Sequence, residues 1–406
     1  MVDSAIVALP LEGVVVADLT QNVAGPFCAQ ILGDMGAEVI KVEHPGRGDD
    51  ARAWAPPWWG DESATFMALN RNKRSLALDL KQEAGLVVLR RLVARADVFV
   101  QSLRAGVVSS LGLDFAGATA LNPRLVYCSI TAFGTRGPLA DRPGYDPLMQ
   151  AYGGLMSING HPGGEPARVG TSIVDMGTGM WAALGIVAGL RQRDATGRGI
   201  EVTTALFETA LMWVSYHAMG WFASGDVPEP QGSGTAMIAP YQAFRAADGY
   251  VMIAAGSDAL FGRLATALGA SELMRDPRFV DNPSRVTNRA ALVDALTRLT
   301  SSRKAADLLD ALRAAGVPSA PILRVDQVME EAQTRESGMV VAAPHPRHAD
   351  YRSIGLPVQW DGARPAVRRV PPRLGEHDAD VLTWFGYTLD DIRSLRQQKV
   401  LSAITG

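Results

Sequence analysis

The sequence predicts an α/β protein: a large domain on a Rossmann-like parallel sheet, with a smaller α+β domain further along. Three observations predict it. Short, continuous apolar runs alternate with segments of helical periodicity through the N-terminal third of the chain. The first of those runs, at 13–18, is continuously apolar, as strands buried on both faces of a parallel sheet are. After residue 222 the character changes to a polar linker bearing Pro and Gly, 223–234 (ASGDVPEPQGSG), and then to a hairpin pattern.

Taken in order, residues 13–18 (GVVVAD) form the first buried strand, and a loop follows from Thr20 to Gly25. Pro26 suits the first turn of a helix, where its missing N–H costs nothing. Phe27, Ile31, Leu32 and Met35 fall at helical spacing, and Gly36 is a helix stop. Residues 38–43 (EVIKVE) make the next strand and complete one βαβ unit. A short strand at 76–80, a helix at 85–95, and strands at 97–101 and 125–130 continue the alternation. A long Gly- and Ala-rich helix is expected over 175–191, a strand over 200–202 and an apolar helix over 204–222. Beyond the linker, 241–246 and 250–254 flank an Asp248-Gly249 turn as a hairpin. Helices follow near 259–268, 288–299 and 303–315, with Ser302 as an N-cap for the last. The tail from Met339 carries two strand-like runs, a Pro/Arg-rich stretch at 365–373 and a closing helix pair.

Composition narrows the function. The 406 residues are 47% hydrophobic and 20% charged, with a net charge of −3, which argues against a general nucleic-acid binder. Two cysteines, Cys28 and Cys128, exclude a disulfide scaffold and a Cys-based zinc cluster. The six histidines show no metal-ligand spacing in sequence, so no metal is expected. No uncharged apolar run of membrane-spanning length and no signal segment is seen, so a soluble, cytoplasmic enzyme is expected. The tripeptide Arg47-Gly48-Asp49 carries no functional weight in such a chain.

Parallel sheets of this kind bind ligands beyond the C-terminal ends of their strands. The first such loop, Thr20 to Pro26, has one glycine where a dinucleotide fingerprint needs three, and no Walker A lysine motif exists. Basic residues gather in the equivalent loops: Lys41, Arg47, Arg71, Lys73, Arg74 and Arg104. They read as a solvated surface or as partners for the phosphates of a nucleotide-containing ligand. Asp175 follows an apolar stretch and opens a helix, in Gly170-Thr171-Ser172-Ile173-Val174-Asp175-Met176-Gly177-Thr178-Gly179. Local pattern alone favours a plain helix cap there. A desolvated, ionised carboxylate beside glycine backbone is also suited to act as a nucleophile. His44 and His161 lie in loops and carry no supporting motif. Cys28 and Cys128 read as small buried hydrophobes.

Several strings together resemble the family III CoA-transferases, the group of formyl-CoA transferase and carnitine CoA-transferase, which also includes 2-methylacyl-CoA racemases. They are Asp18-Leu19-Thr20 with Ala24-Gly25-Pro26, residues 32–43, Asn70-Arg71-Asn72-Lys73-Arg74-Ser75, residues 121–127, Pro143-Gly144-Tyr145-Asp146, the Asp175 segment, Thr196-Gly197-Arg198-Gly199 and Pro372-Arg373-Leu374-Gly375-Glu376-His377. Each is weak alone, and the ordered set spans nearly the whole chain. The resemblance implies a large CoA-binding domain at 1–222, a small α+β domain with linkers at 223–338, and a C-terminal part at 339–406 that completes the large domain. It also implies an interlocked homodimer, with the linkers near Gly225 and Met339 as crossing segments.

The resemblance implies that Asp175 is the nucleophile, forming an aspartyl anhydride and then an aspartyl-CoA thioester. It implies backbone contacts to CoA from Val23 and Ala24, phosphate contacts from Lys73, Arg74 and Arg104, and at His44 the loss of an arginine contact found in some members. Gly232 and Gly234 are candidates for a mobile Gly-rich loop. Arg168, in Pro166-Ala167-Arg168, is a candidate for the second carboxylate of a short dicarboxylate such as succinate, itaconate or mesaconate, or else makes structural ion pairs. Tyr145 stands where the racemases have a histidine base, and a tyrosine is a poor substitute for it. Asp258 stands near the place of the racemases' glutamate. The expected activity is CoA transfer between a short-chain acyl-CoA and a carboxylic acid, possibly within one dicarboxylate. A racemase and a non-catalytic CoA-binding subunit are the alternatives. No permanently bound cofactor is expected, CoA thioester being substrate; neither a nucleic-acid nor a membrane partner is expected.

Overall fold

The protein is described from a computed structural model over residues 9–402. The chain divides into two units. The first comprises residues up to Gly154, Gly170–Ser215 and the segment from Ala332 on; the second comprises Leu155–Val169 and Tyr216–Glu331. The second unit thus takes in 155–169, a segment that sequence reasoning leaves in the large domain.

The first unit is built on six strands: β1 (Val15–Leu19), β2 (Glu38–Glu43), β3 (Lys73–Ala77), β4 (Val98–Gln101), β5 (Val126–Thr131) and β6 (Ile200–Ala205). All pair in parallel, in the order β3-β2-β1-β4-β5-β6. This is the doubly wound order, with its switch point between β1 and β4. Val16, Ala17, Val39, Ile40, Leu76, Phe99 and Val126 are buried, which explains the unbroken apolar runs. The third strand starts at Lys73, three residues before the expected start, because Lys73 and Arg74 pair with Val39 and Ile40 although their side chains are polar.

Helix α1 (Ala24–Asp34) links β1 to β2, and α2 (Glu83–Arg95) links β3 to β4. Helix α3 (Asp146–Tyr152) precedes α4 (Ile173–Thr196), and α5 (Leu206–Trp213) follows β6. The expected helix over 204–222 is therefore broken, with a second helix at Ser215–Ser224. Helix α4 is long and apolar enough to cross a membrane by length and composition alone, with mean hydropathy 1.5 in its most apolar stretch. Half of that stretch is buried in the protein. Its glycines explain why: a Cβ at Gly185 would meet the Val202 side chain at 2.6 Å, and one at Gly189 would meet Ile200 and Val126 at 3.0 and 3.1 Å. Small residues let this helix lie directly on the sheet.

The C-terminal helices α6 (Asp378–Trp384) and α7 (Leu389–Gln397) belong to the first unit, and Val381, Leu382, Ile392 and Val400 enter its core. Asp378 accepts the Ala77 amide at 2.8 Å, and the His377 amide donates to Ser75 O, so the tail is fastened to the end of β3. Burial pushes the Asp378 carboxyl up to about 7.

The second unit is a three-stranded antiparallel sheet, β9-β8-β7, of β7 (Tyr241–Ala246), β8 (Gly249–Ala254) and β9 (Ser319–Pro321). Helices at Asp258–Ala267, Arg289–Thr300 and Ala305–Ala314 enclose Phe244, Val251, Ile253, Leu264, Leu292, Leu296 and Leu308. Lys304, not Ser302, is the residue preceding the last of these helices. Arg285 is fully buried among the carbonyls of Ala239, Phe279 and Gly256 and pairs with Asp258 at 2.7 Å.

Candidate active site

Asp175 is the third residue of α4, so the helix begins before it and Asp175 is not its cap. The cap comes from another element. Asp146, buried at the start of α3, accepts the amides of Val174 and Asp175 on Oδ2 at 2.8 and 3.2 Å. Its Oδ1 accepts from Gln150 Nε2 at 2.6 Å. A carboxylate in this position satisfies amides that a helix end leaves open, a contribution of about 1 kcal/mol. It also sets a second negative charge beside Asp175. Burial, with Asp146 adding to it, pushes the Asp175 carboxyl up to about 7, although the helix N-terminus favours the charged form. A carboxylate held out of water with no cation against it is a reactive group.

The glycines after Asp175 bring elements together. A Cβ at Gly177 would lie 2.6 Å from the Trp213 ring, and one at Gly179 would lie 2.5 Å from the Ala24 carbonyl. The N-terminal turns of α1 and α4 are therefore in contact, and Val23 and Ala24, both buried, lie next to the helix that carries Asp175. At Gly25 a Cβ would collide with the Thr20 side chain at 2.3 Å, which explains the glycine of Ala24-Gly25-Pro26. Tyr145 immediately precedes Asp146 and is half exposed.

The basic residues separate into two groups. Lys73 is fully buried, and its Nζ donates to Asp18, Pro26 O and Asn70 at 3.1, 2.8 and 2.9 Å. This corrects the expectation that it meets a phosphate: all three protons are spent inside the fold. Lys41 is equally buried and pairs with Asp49 at 2.7 Å. Arg71 is taken by Asp34. Arg74 is partly exposed and pairs with Glu38 at 2.8 Å. Arg104 is exposed, with no side-chain partner among the described residues, in a loop ordered from beneath by Gln101. His44 is exposed and its Nδ1 accepts the Gly46 amide at 3.0 Å.

In the second unit, the Gly232 amide donates to Gly160 O at 2.8 Å and the Gly234 amide to Gln231 O at 3.0 Å. The glycine turn thus rests on the 155–169 segment, where Arg168 is exposed and without a side-chain partner among the described residues. Asp258 is committed to Arg285, so it does not stand as a free base.

Glu62, His345 and His348 are close enough to suggest a metal site. Their bonding points elsewhere. His345 Nδ1 accepts the amides of Arg347 and His348 at 3.2 Å, which puts its proton on Nε2. Glu62 is engaged by Arg347 at 2.6 Å and His348 at 2.9 Å. The group fastens 345–351 to the Trp58–Ser63 hairpin.

Comparison with known proteins decides what this constellation belongs to. Residues 11–378 match the model of CoA-transferase family III. The chain belongs to that family. Human succinyl-CoA:glutarate CoA-transferase is 36% identical over 92% of this chain and 85% of its own length. Acetyl-CoA:oxalate CoA-transferase of Acetobacter aceti is 38% identical over 91% of this chain and 94% of its own. The crystal structure of a CAIB/BAIF family protein from Brucella suis matches with a TM-score of 0.84 at 40% identity, covering 93% of this chain and 100% of that one. The protein is a CoA-transferase, and CoA thioesters are its substrates. Sequence reasoning assigned no role to Asp146; the Asp-Pro step opening a helix is its only local signal.

Proposed function

We propose that this CoA-transferase moves CoA between a short-chain dicarboxylyl-CoA and a carboxylate, with Asp175 as the nucleophile. The observation that carries the reading is the Asp175 carboxylate: withdrawn from water, at a helix N-terminus, with no cation bound to it among the described residues. The ionised carboxylate attacks the thioester carbonyl, the C–S bond breaks, and CoA leaves as a thiolate from a mixed aspartyl anhydride. The thiolate attacks the aspartyl carbonyl, the anhydride C–O bond breaks, and the donor acid departs from an aspartyl-CoA thioester. The acceptor carboxylate attacks the carbonyl of that thioester, the C–S bond breaks, and CoA thiolate leaves behind a new aspartyl anhydride. The thiolate then attacks the acyl carbonyl of the new anhydride, regenerating Asp175. Each step exchanges groups of similar energy, which is what covalent catalysis offers here.

In this reading CoA runs along the N-terminal turn of α1, at Val23 and Ala24, with Arg104 and the outer side of Arg74 toward its phosphates and His44 nearby. Tyr145 hydrogen-bonds the reacting carboxylate. Arg168, whose guanidinium is unpaired among the described residues, takes the distal carboxylate of a dicarboxylate, and Gly232 and Gly234 supply backbone close to the acyl group. The relatives act, by their names, on succinyl-CoA with glutarate and on acetyl-CoA with oxalate, and a dicarboxylate is the shared chemistry. A homodimer is part of the reading. Met180, Leu184, Leu211 and Met212 leave an exposed apolar face on α4 and α5, of the kind that a second subunit covers.

The test is mass spectrometry of the protein with succinyl-CoA and a panel of mono- and dicarboxylic acids. A new acyl-CoA and a CoA adduct on Asp175, both lost in Asp175→Ala, are expected. Exchange that persists in Asp175→Ala overturns the assignment. Deuterium uptake at Cα without an acceptor acid replaces it with the racemase.

A further inference from the structure

The β1–α1 loop is held by groups that no reaction step uses. Thr20 is gripped twice by Asp18, which accepts its amide at 3.0 Å and its hydroxyl. The Thr20 carbonyl accepts from Lys41 Nζ at 2.9 Å. The Gln21 amide donates to Ser102 Oγ at 3.2 Å. The Asn22 amide donates to Asp49 Oδ1 at 3.0 Å, and Asn22 adopts φ 70°, a left-handed conformation that asparagine accepts more readily than most residues.

Asp49 is where these restraints meet. Its Oδ2 pairs with Lys41 at 2.7 Å, and both side chains are fully buried. Its Oδ1 accepts the amides of Asn22 and Ala51, and its own amide donates to Glu43 Oε2 at 3.1 Å. One buried ion pair thus reaches the loop from both ends: Lys41 at the Thr20 carbonyl, Asp49 at the Asn22 amide. The next turn is α1, and Thr20 packs directly on Gly25. The amides of Ala24 and Gly25 have no acceptor among the described residues. The restraints end where the open donors begin.

We propose that Asp49, through its bonds to Asn22 and Lys41, is a positioning residue that sets the N-terminal turn of α1 for acyl-CoA binding. The proposal rests on the reading that CoA lies along Val23 and Ala24. It gives the aspartate of Arg47-Gly48-Asp49 a task of its own: Arg47 is exposed, whereas Asp49 is buried and committed. A loop released by even an ångström misplaces its donors, and misplacement of that size is costly to binding and orientation.

The test uses the full-length protein and two variants, Asp49→Asn and the double variant Lys41→Met/Asp49→Ala. The second removes both buried charges at once, so that no lysine is stranded if the single change unfolds the protein. Calorimetric titration with CoA and steady-state kinetics are read together. The expected result is a rise of about tenfold or more in Kd for CoA and in KM for acyl-CoA, with kcat and the acceptor KM within about threefold of wild type. A merely structural role would instead lower kcat in proportion to the folded fraction and leave Kd unchanged, and that outcome overturns the proposal. Unaltered Kd and KM in a folded variant overturn it as well. If wild type itself fails to bind CoA, the underlying reading falls first and takes this proposal with it. If wild type binds CoA but Ala24→Pro leaves Kd untouched, the α1 placement fails while CoA transfer stands.

Discussion

Glu43 and Asp175 are both carboxylates withdrawn from water in the same unit, and they are driven in opposite directions. Burial opposes the charged form of each. At Glu43 it is outweighed by Arg52, bonded through two nitrogens at 2.7 and 2.8 Å, by Lys41 and by the Ser75 hydroxyl, and the carboxyl is held at about 2. At Asp175 no cation among the described residues offsets it, and the neighbouring Asp146 adds to it, so the carboxyl rises to about 7 despite the helix N-terminus. Glu43 is held charged by cations, whereas Asp175 has none against it among the described residues, as suits the nucleophile of the proposed reading.

The largest test of this contrast is Asp175→Ala. Turnover should fall by at least about 10³-fold while Tm changes little, because no described bond to the rest of the fold runs through that carboxylate. Appreciable exchange in this variant would remove Asp175 from its role. The opposite balance is expected at the matched site. Glu43→Gln leaves Arg52 without its carboxylate partner and should cost about 3 kcal/mol in urea unfolding, with activity per folded molecule largely kept. A cost below about 1 kcal/mol would show that the pairing is incidental.

Asp146→Asn sharpens the contrast by removing the like charge while keeping an acceptor for the helix amides. Since the nucleophile must be ionised, the wild-type rate should rise with pH through about 7. In the variant that acid limb should move to lower pH, by up to about one unit. An unmoved limb would assign the whole shift to burial. An effect on stability alone is expected at Asp378, also pushed up to about 7 by burial but bonded to Ala77. Its raised value means that folding favours the protonated form. The wild type therefore loses stability relative to Asp378→Asn as pH rises from about 4 to about 7, and the difference is then constant. Thermal melts across that range should show a gap growing by up to about 4 kcal/mol; a gap independent of pH refutes the assignment.

Much of the architecture was legible because burial on both faces leaves a mark in composition. The strand at 98–101 read directly as an apolar run, and that at 38–43 from the alternation around Val39, Ile40 and Val42. The third strand did not, since Lys73 and Arg74 are polar yet lie in the sheet, Lys73 made tolerable there by Asp18, Asn70 and a carbonyl. No local pattern reports partners that come from residues 18 and 26. The same blindness turned Lys73 into a phosphate ligand on paper. It also made Asp175 look like a cap, because the true cap, Asp146, is 29 residues away.

The sequence by itself determined the alternation of strands and helices, the absence of a dinucleotide fingerprint, and the ordered set of motifs that marks the family. These are properties of neighbours along the chain and of periodicity, which burial imposes locally. Only the tertiary structure decided which charges are spent and which are free. It buried Lys41 and Lys73 against carboxylates, left Arg104 open, set Asp146 on the helix of Asp175, and brought Ala24 against Gly179. Electrostatic environment depends on distance and desolvation in space, and both are created only when segments far apart in sequence pack together.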